Sequence, residues 1–113
     1  MHDLKYADEI LRALENGAAG KDRAKAIVVN VKLSPFSHVK AEGLNATFEL
    51  LVEDEGYRDL RLNIQTSQFT IQCKNCKRSS KHTEPVFECP HCKSYDFDIE
   101  KGKEFYIDSI EIK

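Results

Sequence analysis

No hydrophobic run of any length occurs in this sequence. The longest unbroken aliphatic stretch is Ala26-Ile27-Val28-Val29, far short of the ~20 residues that a membrane-spanning helix requires. Met1 to Asn16 lacks the apolar h-region of a secretory signal. The expectation is a cytoplasmic protein, in a compartment that does not favour disulfides. An excess of one charge is missing too: the net charge is −2, which argues against a nucleic-acid binder held by electrostatics. There are 5 glycines, and they form no phosphate-cradling loop. No nucleophile stands beside a base and an orienting group, so the chain is not read as an enzyme. Internal repeats and low-complexity tracts are absent.

What is present is the balance of a globular protein, 41% hydrophobic and 32% charged in 113 residues. That length holds one modest core, or one small domain carrying a metal-stapled insert. All four cysteines lie in two pairs, Cys73-Lys74-Asn75-Cys76 and Cys89-Pro90-His91-Cys92. Paired C-x-x-C turns of this kind close a tetrahedral zinc site through four thiolates. With all four ligands supplied by cysteine, no position stays open for a substrate, so Zn(II) is structural. Two disulfides, or one redox-active C-x-x-C, are the other readings of four cysteines. Redox pairs open a helix after a strand in a βαβ unit, a setting that neither pair has. The segment between the pairs has Val86 and Phe87 as its main apolar residues and could not fold without the metal. Structural zinc supplies roughly 10–16 kcal/mol in small peptide modules.

Leu4 to Glu15 reads as an amphipathic helix, with Leu4, Ala7, Ile10, Leu11 and Leu14 on one face, Asp3 as its N-cap and Gly17 as its stop. Gly17 to Asp22 is a turn or loop. Residues 26–33 form a strand that points Ile27, Val29, Val31 and Leu33 one way. Ser34-Pro35-Phe36-Ser37 breaks it. A second helix covers Val39 to Val52, with Leu44, Phe48 and Leu51 in line and the last acids of Glu53-Asp54-Glu55 falling in the loop. Leu60 to Thr66 alternates strictly and is the clearest strand. Tyr95 to Lys101 lead out of the zinc segment, and a last strand covers Glu104 to Ile112. Its alternation changes phase between Ile107 and Ile110, which predicts a bulge at Asp108-Ser109. The fold class is therefore α+β: a small mixed three-stranded sheet with two helices, carrying an inserted four-cysteine zinc-ribbon-like module. The first two strands and the helix between them make a parallel crossover unit. The zinc module sits at the tip of an antiparallel hairpin of the second and third strands.

The chain starts Met1-His2-Asp3. An α-amine, the next amide nitrogen and Nδ1 of His2 present three nitrogens in one plane. Ni(II) and Cu(II) favour that geometry, and zinc gains nothing from it. Affinity should climb with pH, because amine and amide must lose protons. Taken alone, a histidine at position two is more often a solvated terminal residue. His82, between the knuckles, and His91, inside the second, are possible accessory ligands that could swing toward nickel or replace a thiolate. Exposed surface histidines are the commoner case. His38 decorates the start of the second helix.

Met-His-acid before an amphipathic helix, a strand running into Leu33-Ser34, the helix Glu42-Gly43-Leu44-Asn45-Ala46-Thr47-Phe48-Glu49-Leu50-Leu51, the four-cysteine knuckles, and a final Ile107-Asp108-Ser109-Ile110-Glu111-Ile112 together resemble the HypA/HybF family over essentially the whole chain. The resemblance implies a nickel metallochaperone that helps load nickel–iron hydrogenase, or urease in some organisms. Its implied partners are a HypB-type GTPase and the nickel-enzyme large subunit or its maturation complex. It implies nickel binding by Met1 and His2, with Asp3 beside them where the family usually carries glutamate, and zinc binding by Cys73, Cys76, Cys89 and Cys92. The loop Ser34 to His38 departs from the family's usual Gly-Glu-Leu-Ser-Gly style of turn. The division that follows is a nickel-binding α/β domain of residues 1–68 plus 103–113 and a zinc-binding domain of residues 69–102. Five basic residues against four acidic ones give residues 69–98 a net +1. That leaves a zinc-ribbon nucleic-acid module or a protein-interaction adaptor without nickel as the alternative.

Overall fold

A computed structural model gives the architecture and describes residues 2–17 and 21–113, apart from the side chain of His2. The expected loop from Gly17 to Asp22 thus lies partly outside the described residues. Helix α1 spans His2–Asn16, strand β1 Ala26–Leu33, helix α2 Ala41–Val52 and strand β2 Asp59–Thr66. Strands β3 (Phe69–Cys73), β4 (Ser79–His82), β5 (Phe97–Glu100) and β6 (Phe105–Ile112) follow. They form two three-stranded sheets, ordered β2-β1-β6 and β4-β3-β5. The molecule is elongated, 54 × 27 × 18 Å.

Strand β1 organises the first sheet. Ile27, Val29, Val31 and Leu33 are all buried beneath the helices, which contribute Ala7, Ile10 and Leu14 from α1 and Leu44 and Phe48 from α2. β1 pairs with β2 in parallel and with β6 antiparallel. The sheet is mixed, and β1-α2-β2 is the crossover unit expected from the sequence. The hairpin of second and third strands is not formed: β2 and β6 lie on opposite edges with β1 between them. The physical reason is burial. Only β1 has four side chains fully inside, so it takes the central position, while the core-facing residues of β2 and β6 stay partly exposed. The register slips between Asn30 and Val31 so that Asp108 is left unpaired, the bulge expected from the phase change. On the open face, the Asn63 amide donates to Asn30 Oδ1 (2.9 Å) and the Asn30 amide to Ser109 Oγ (3.0 Å), tying all three strands together.

Two helix starts differ from expectation. α1 begins by His2, so Asp3 sits in its first turn instead of capping it. There its charge meets the positive end of the helix dipole. Leu4 is exposed, and Tyr6 is buried in its place, stacked on Phe105 at 4.5 Å. α2 begins at Ala41 rather than Val39, with Lys40 in extended conformation at the cap. Val39 and Leu44, both in the core, then occupy the two positions of a hydrophobic staple.

The second sheet was not anticipated as a sheet. β4 and β5 are four residues each and mostly polar, and only Phe69 and Ile71 of β3 provide buried apolar side chains. The two sheets meet where Ser67 N–H donates to Leu33 O (3.0 Å) and Phe36 packs edge-on against Phe69, 4.8 Å between centroids.

Candidate metal centre

Each C-x-x-C pair folds into the same local turn. Cys73 N–H donates to Arg78 O (3.0 Å) and Lys77 N–H to Cys73 O (3.1 Å). The second pair repeats this, with Cys89 N–H on Ser94 O (2.8 Å) and Lys93 N–H on Cys89 O (2.9 Å). The residue after each pair, Lys77 and Lys93, takes a positive φ of 66° and 67°. Such a conformation costs a non-glycine residue about 1 kcal/mol or more. The two strained turns aim their sulfurs at one point. All four Sγ atoms lie within 4.8 Å of one another, with Cys73–Cys92 at 3.5 Å and Cys76–Cys89 at 3.7 Å. Those separations are far too long for disulfides, whose S–S bond is about 2.0 Å, and all four thiols are free. They match a tetrahedron of sulfurs each ~2.3 Å from a zinc ion, whose edges are roughly 3.8 Å.

The electrostatics point to a cation as well. The Asn75 amide, donating to Cys92 Sγ at 3.5 Å, leads the contacts that bring that thiol down to about 6. Burial raises Cys89, but the backbone N–H groups of Cys92 and His91 and the adjacent thiols outweigh it, so it too lies below its ordinary value. The Arg78 backbone N–H lowers Cys76, yet burial and the other three thiols push it up to about 11. Four thiolates this close together repel one another unless a positive ion sits among them. A bound divalent cation removes that conflict and lets all four serve as thiolates. The donor set and the spacing both fit zinc.

Met1 and the side chain of His2 lie outside the described residues. Asp3 is half-buried where α1 meets α2, so close that a Cβ added at Gly43 would stand 2.7 Å from its Oδ2. His82, half-buried on β4, has Nε2 2.7 Å from Ser80 Oγ and its ring beside Phe69. His91 is exposed and contributes only its backbone N–H, to Cys89 Sγ (3.4 Å). Neither histidine joins the four-sulfur group. Sequence reading passed over Asn75 and Gly43. Asn75 lay inside the first knuckle, and a glycine within a helix, costing ~1 kcal/mol against alanine, signals a close approach.

With this geometry in view, relatives decide the family. A family model described as hydrogenase/urease nickel incorporation, metallochaperone, hypA, matches residues 1–112. The chain belongs to the HypA family. HypA proteins are metallochaperones, maturation factors and not enzymes. The hydrogenase maturation factor HypA of Moorella thermoacetica is 34% identical over 113 residues, covering 98% of both chains. That of Albidiferax ferrireducens is 26% identical over the full length of both. In fold, the chain is similar to the solution structure of the Ni metallochaperone HypA from Helicobacter pylori. The TM-score there is 0.57 and the identity 23%, over 97% of this chain and 96% of that one. A second HypA solution structure gives a TM-score of 0.65 at 22% identity, covering 100% and 97%. Among the described residues no helix is long and apolar enough to cross a membrane.

Proposed function

We propose that this HypA protein binds Ni(II) through Met1, His2 and Asp3 and helps deliver it, in the cytoplasm, to nickel–iron hydrogenase or urease during maturation. The observation that carries the reading is the family match over residues 1–112. Nickel is cargo here, and its handling rests on exchange. Three planar nitrogens at a chain end leave one side open, so a partner's ligands can take the ion stepwise. Zn(II), held by Cys73, Cys76, Cys89 and Cys92, is resident and structural. When bound it fixes both knuckles and, through Cys73 at the end of β3, the second sheet. Residues 69–102 then act as a zinc-binding domain set into a nickel-binding domain of residues 1–68 and 103–113. A HypB-type GTPase and the nickel-enzyme large subunit are the proposed partners.

The nucleic-acid alternative loses support from the charges around the knuckles. Lys74 pairs with Asp96 and Asp98 (3.8 and 3.6 Å), and Lys93 with Glu88 (3.5 Å). Two of the five basic residues there are thus paired with acids of the same segment.

Nickel titration of protein carrying an authentic Met1 tests the proposal. It is compared with protein bearing one extra N-terminal residue and with His2→Ala. Stoichiometric Ni(II) binding with a planar-nitrogen spectrum is expected in the first alone. Equal uptake by all three would refute the N-terminal site, and retention on DNA or RNA without nickel binding would favour the adaptor.

A further inference from the structure

A concavity of about 500 Å³ lies between the two sheets, away from the cysteines. Small-molecule sites commonly span ~300–1,000 Å³. Its walls come from sequence-distant segments: Lys32 on β1, the β2–β3 connection from Thr66 to Gln68, Thr70 on β3, Lys81 on β4 and Thr83 just after it, and the turn Lys101-Gly102-Lys103 before Tyr106. Four lysines line it, and no aspartate or glutamate does, in a protein whose net charge is −2. None of the four has a carboxylate partner among the described ion pairs, unlike Lys25, Lys74 and Lys93. Two are held in place by uncharged groups: Lys32 Nζ donates to Gln65 Oε1 at 2.6 Å, and Lys101 Nζ lies 5.2 Å from the Phe36 ring centroid. Gly102 has a φ of +70°, and that turn sets the last two lysines on the rim. Hydroxyls alternate with the ammonium groups, from Thr66, Ser67, Thr70 and Thr83. Ser67 is itself buried, 8% exposed, and its Oγ has no hydrogen-bond partner among the described residues.

Four cations around one cleft, with no carboxylate among them, repel one another. A ligand with several negative charges on compact, many-oxygen groups relieves that repulsion. We propose that this cleft binds a small polyphosphate, through Lys32, Lys81, Lys101 and Lys103 with the hydroxyls of Thr66, Thr70 and Thr83 as further donors. Phosphate suits the wall better than a single carboxylate, because each tetrahedral group offers oxygens to ammonium and hydroxyl donors at once. The ligand touches both sheets and both connections between them, so its binding fixes how the second sheet is carried on the first. The site is independent of the nickel reading.

The test uses the full zinc-loaded chain without nickel, titrated with inorganic pyrophosphate and with ATP while amide shifts and zinc content are followed. Saturable one-to-one binding is expected, with shifts confined to residue 32 and residues 66–70, 81–83 and 101–106. The double variant Lys81→Gln/Lys101→Gln should weaken binding at least about tenfold. Lys5→Gln/Lys113→Gln, remote from the cleft, should leave it unchanged. No saturable binding, shifts spread evenly over surface lysines, or equal loss in both double variants would overturn the proposal. So would binding of a glutamate-rich peptide where neither phosphate binds, which would make the cleft a protein-docking surface. Unchanged zinc content and helical dichroism in each variant exclude misfolding as the cause.

Discussion

Stripping the metal from the four cysteines should unfold the second sheet and spare the first. The magnitudes follow from burial. Of the residues between Phe69 and Glu100, only Phe69 and Ile71 bury large apolar side chains, at 2% and 0% exposure. Each contributes about 1.5–3 kcal/mol. A structural zinc contributes roughly 10–16 kcal/mol, several times as much, and it also offsets the strain at Lys77 and Lys93. The first sheet has its own eleven-residue buried cluster, none of it in the zinc segment. Chelation monitored by amide spectra should therefore collapse the dispersion of residues 69–100, while far-ultraviolet dichroism keeps the signal of α1 and α2. Cys89→Ser should do the same without chelator. If metal analysis shows the zinc gone and residues 69–100 still give dispersed, protected amides, the metal is not what holds that sheet. If the helices melt with it, the two units are one cooperative structure.

Three other outcomes are expected. Gly43→Ala places a methyl group against the Asp3 carboxylate. Helix propensity gains up to ~1 kcal/mol, so the melting temperature should hold or rise, while nickel affinity drops by about tenfold if Asp3 orients the site; an unchanged nickel isotherm would remove Asp3 from it. Phe69→Ala should cost about 3–5 kcal/mol and release the contact with Phe36. Relaxation measurements should then report the second sheet tumbling more independently, and identical tumbling would show that the Phe36–Phe69 contact does not fix the junction. Burial, helped by a hydrogen bond to Glu104, pushes Tyr6 up to about 12. The native state thus retains a proton that the unfolded chain gives up near pH 10. The resulting stability is complete below about pH 10 and is lost as pH rises toward about 12. Denaturant melts across that window should fall more steeply for the natural protein than for Tyr6→Phe, and equal slopes would contradict the assignment.

Much of the molecule can be read along the chain because it is made by neighbours. Each knuckle closes its hydrogen bonds within six residues, so C-x-x-C spacing alone is enough to specify it. The alternation in β1, the phase break that becomes the bulge at Asp108, and the helical spacing of Leu44 and Phe48 are likewise local. Pairing order is another matter. β2 and β6 both alternate well enough to be partners, and competition for the buried middle gave that place to β1. Leu4 fitted the apolar stripe of α1 as well as Tyr6, and the position of Phe105 decided which went inside. β4 carries no apolar alternation and β5 only Phe97 and Ile99 in four residues, so both depend on pairing with β3 beside them.

The four-thiol centre, the two helices and the apolar strand follow from local sequence, because consecutive residues set turn geometry and periodic burial. Tertiary structure alone decided which strands touch, how near Asp3 lies to Gly43, and that Lys32, Lys81, Lys101 and Lys103 share one cleft. Those are meetings between residues far apart in the chain, and they are set by which surfaces win burial, a competition that no single segment encodes.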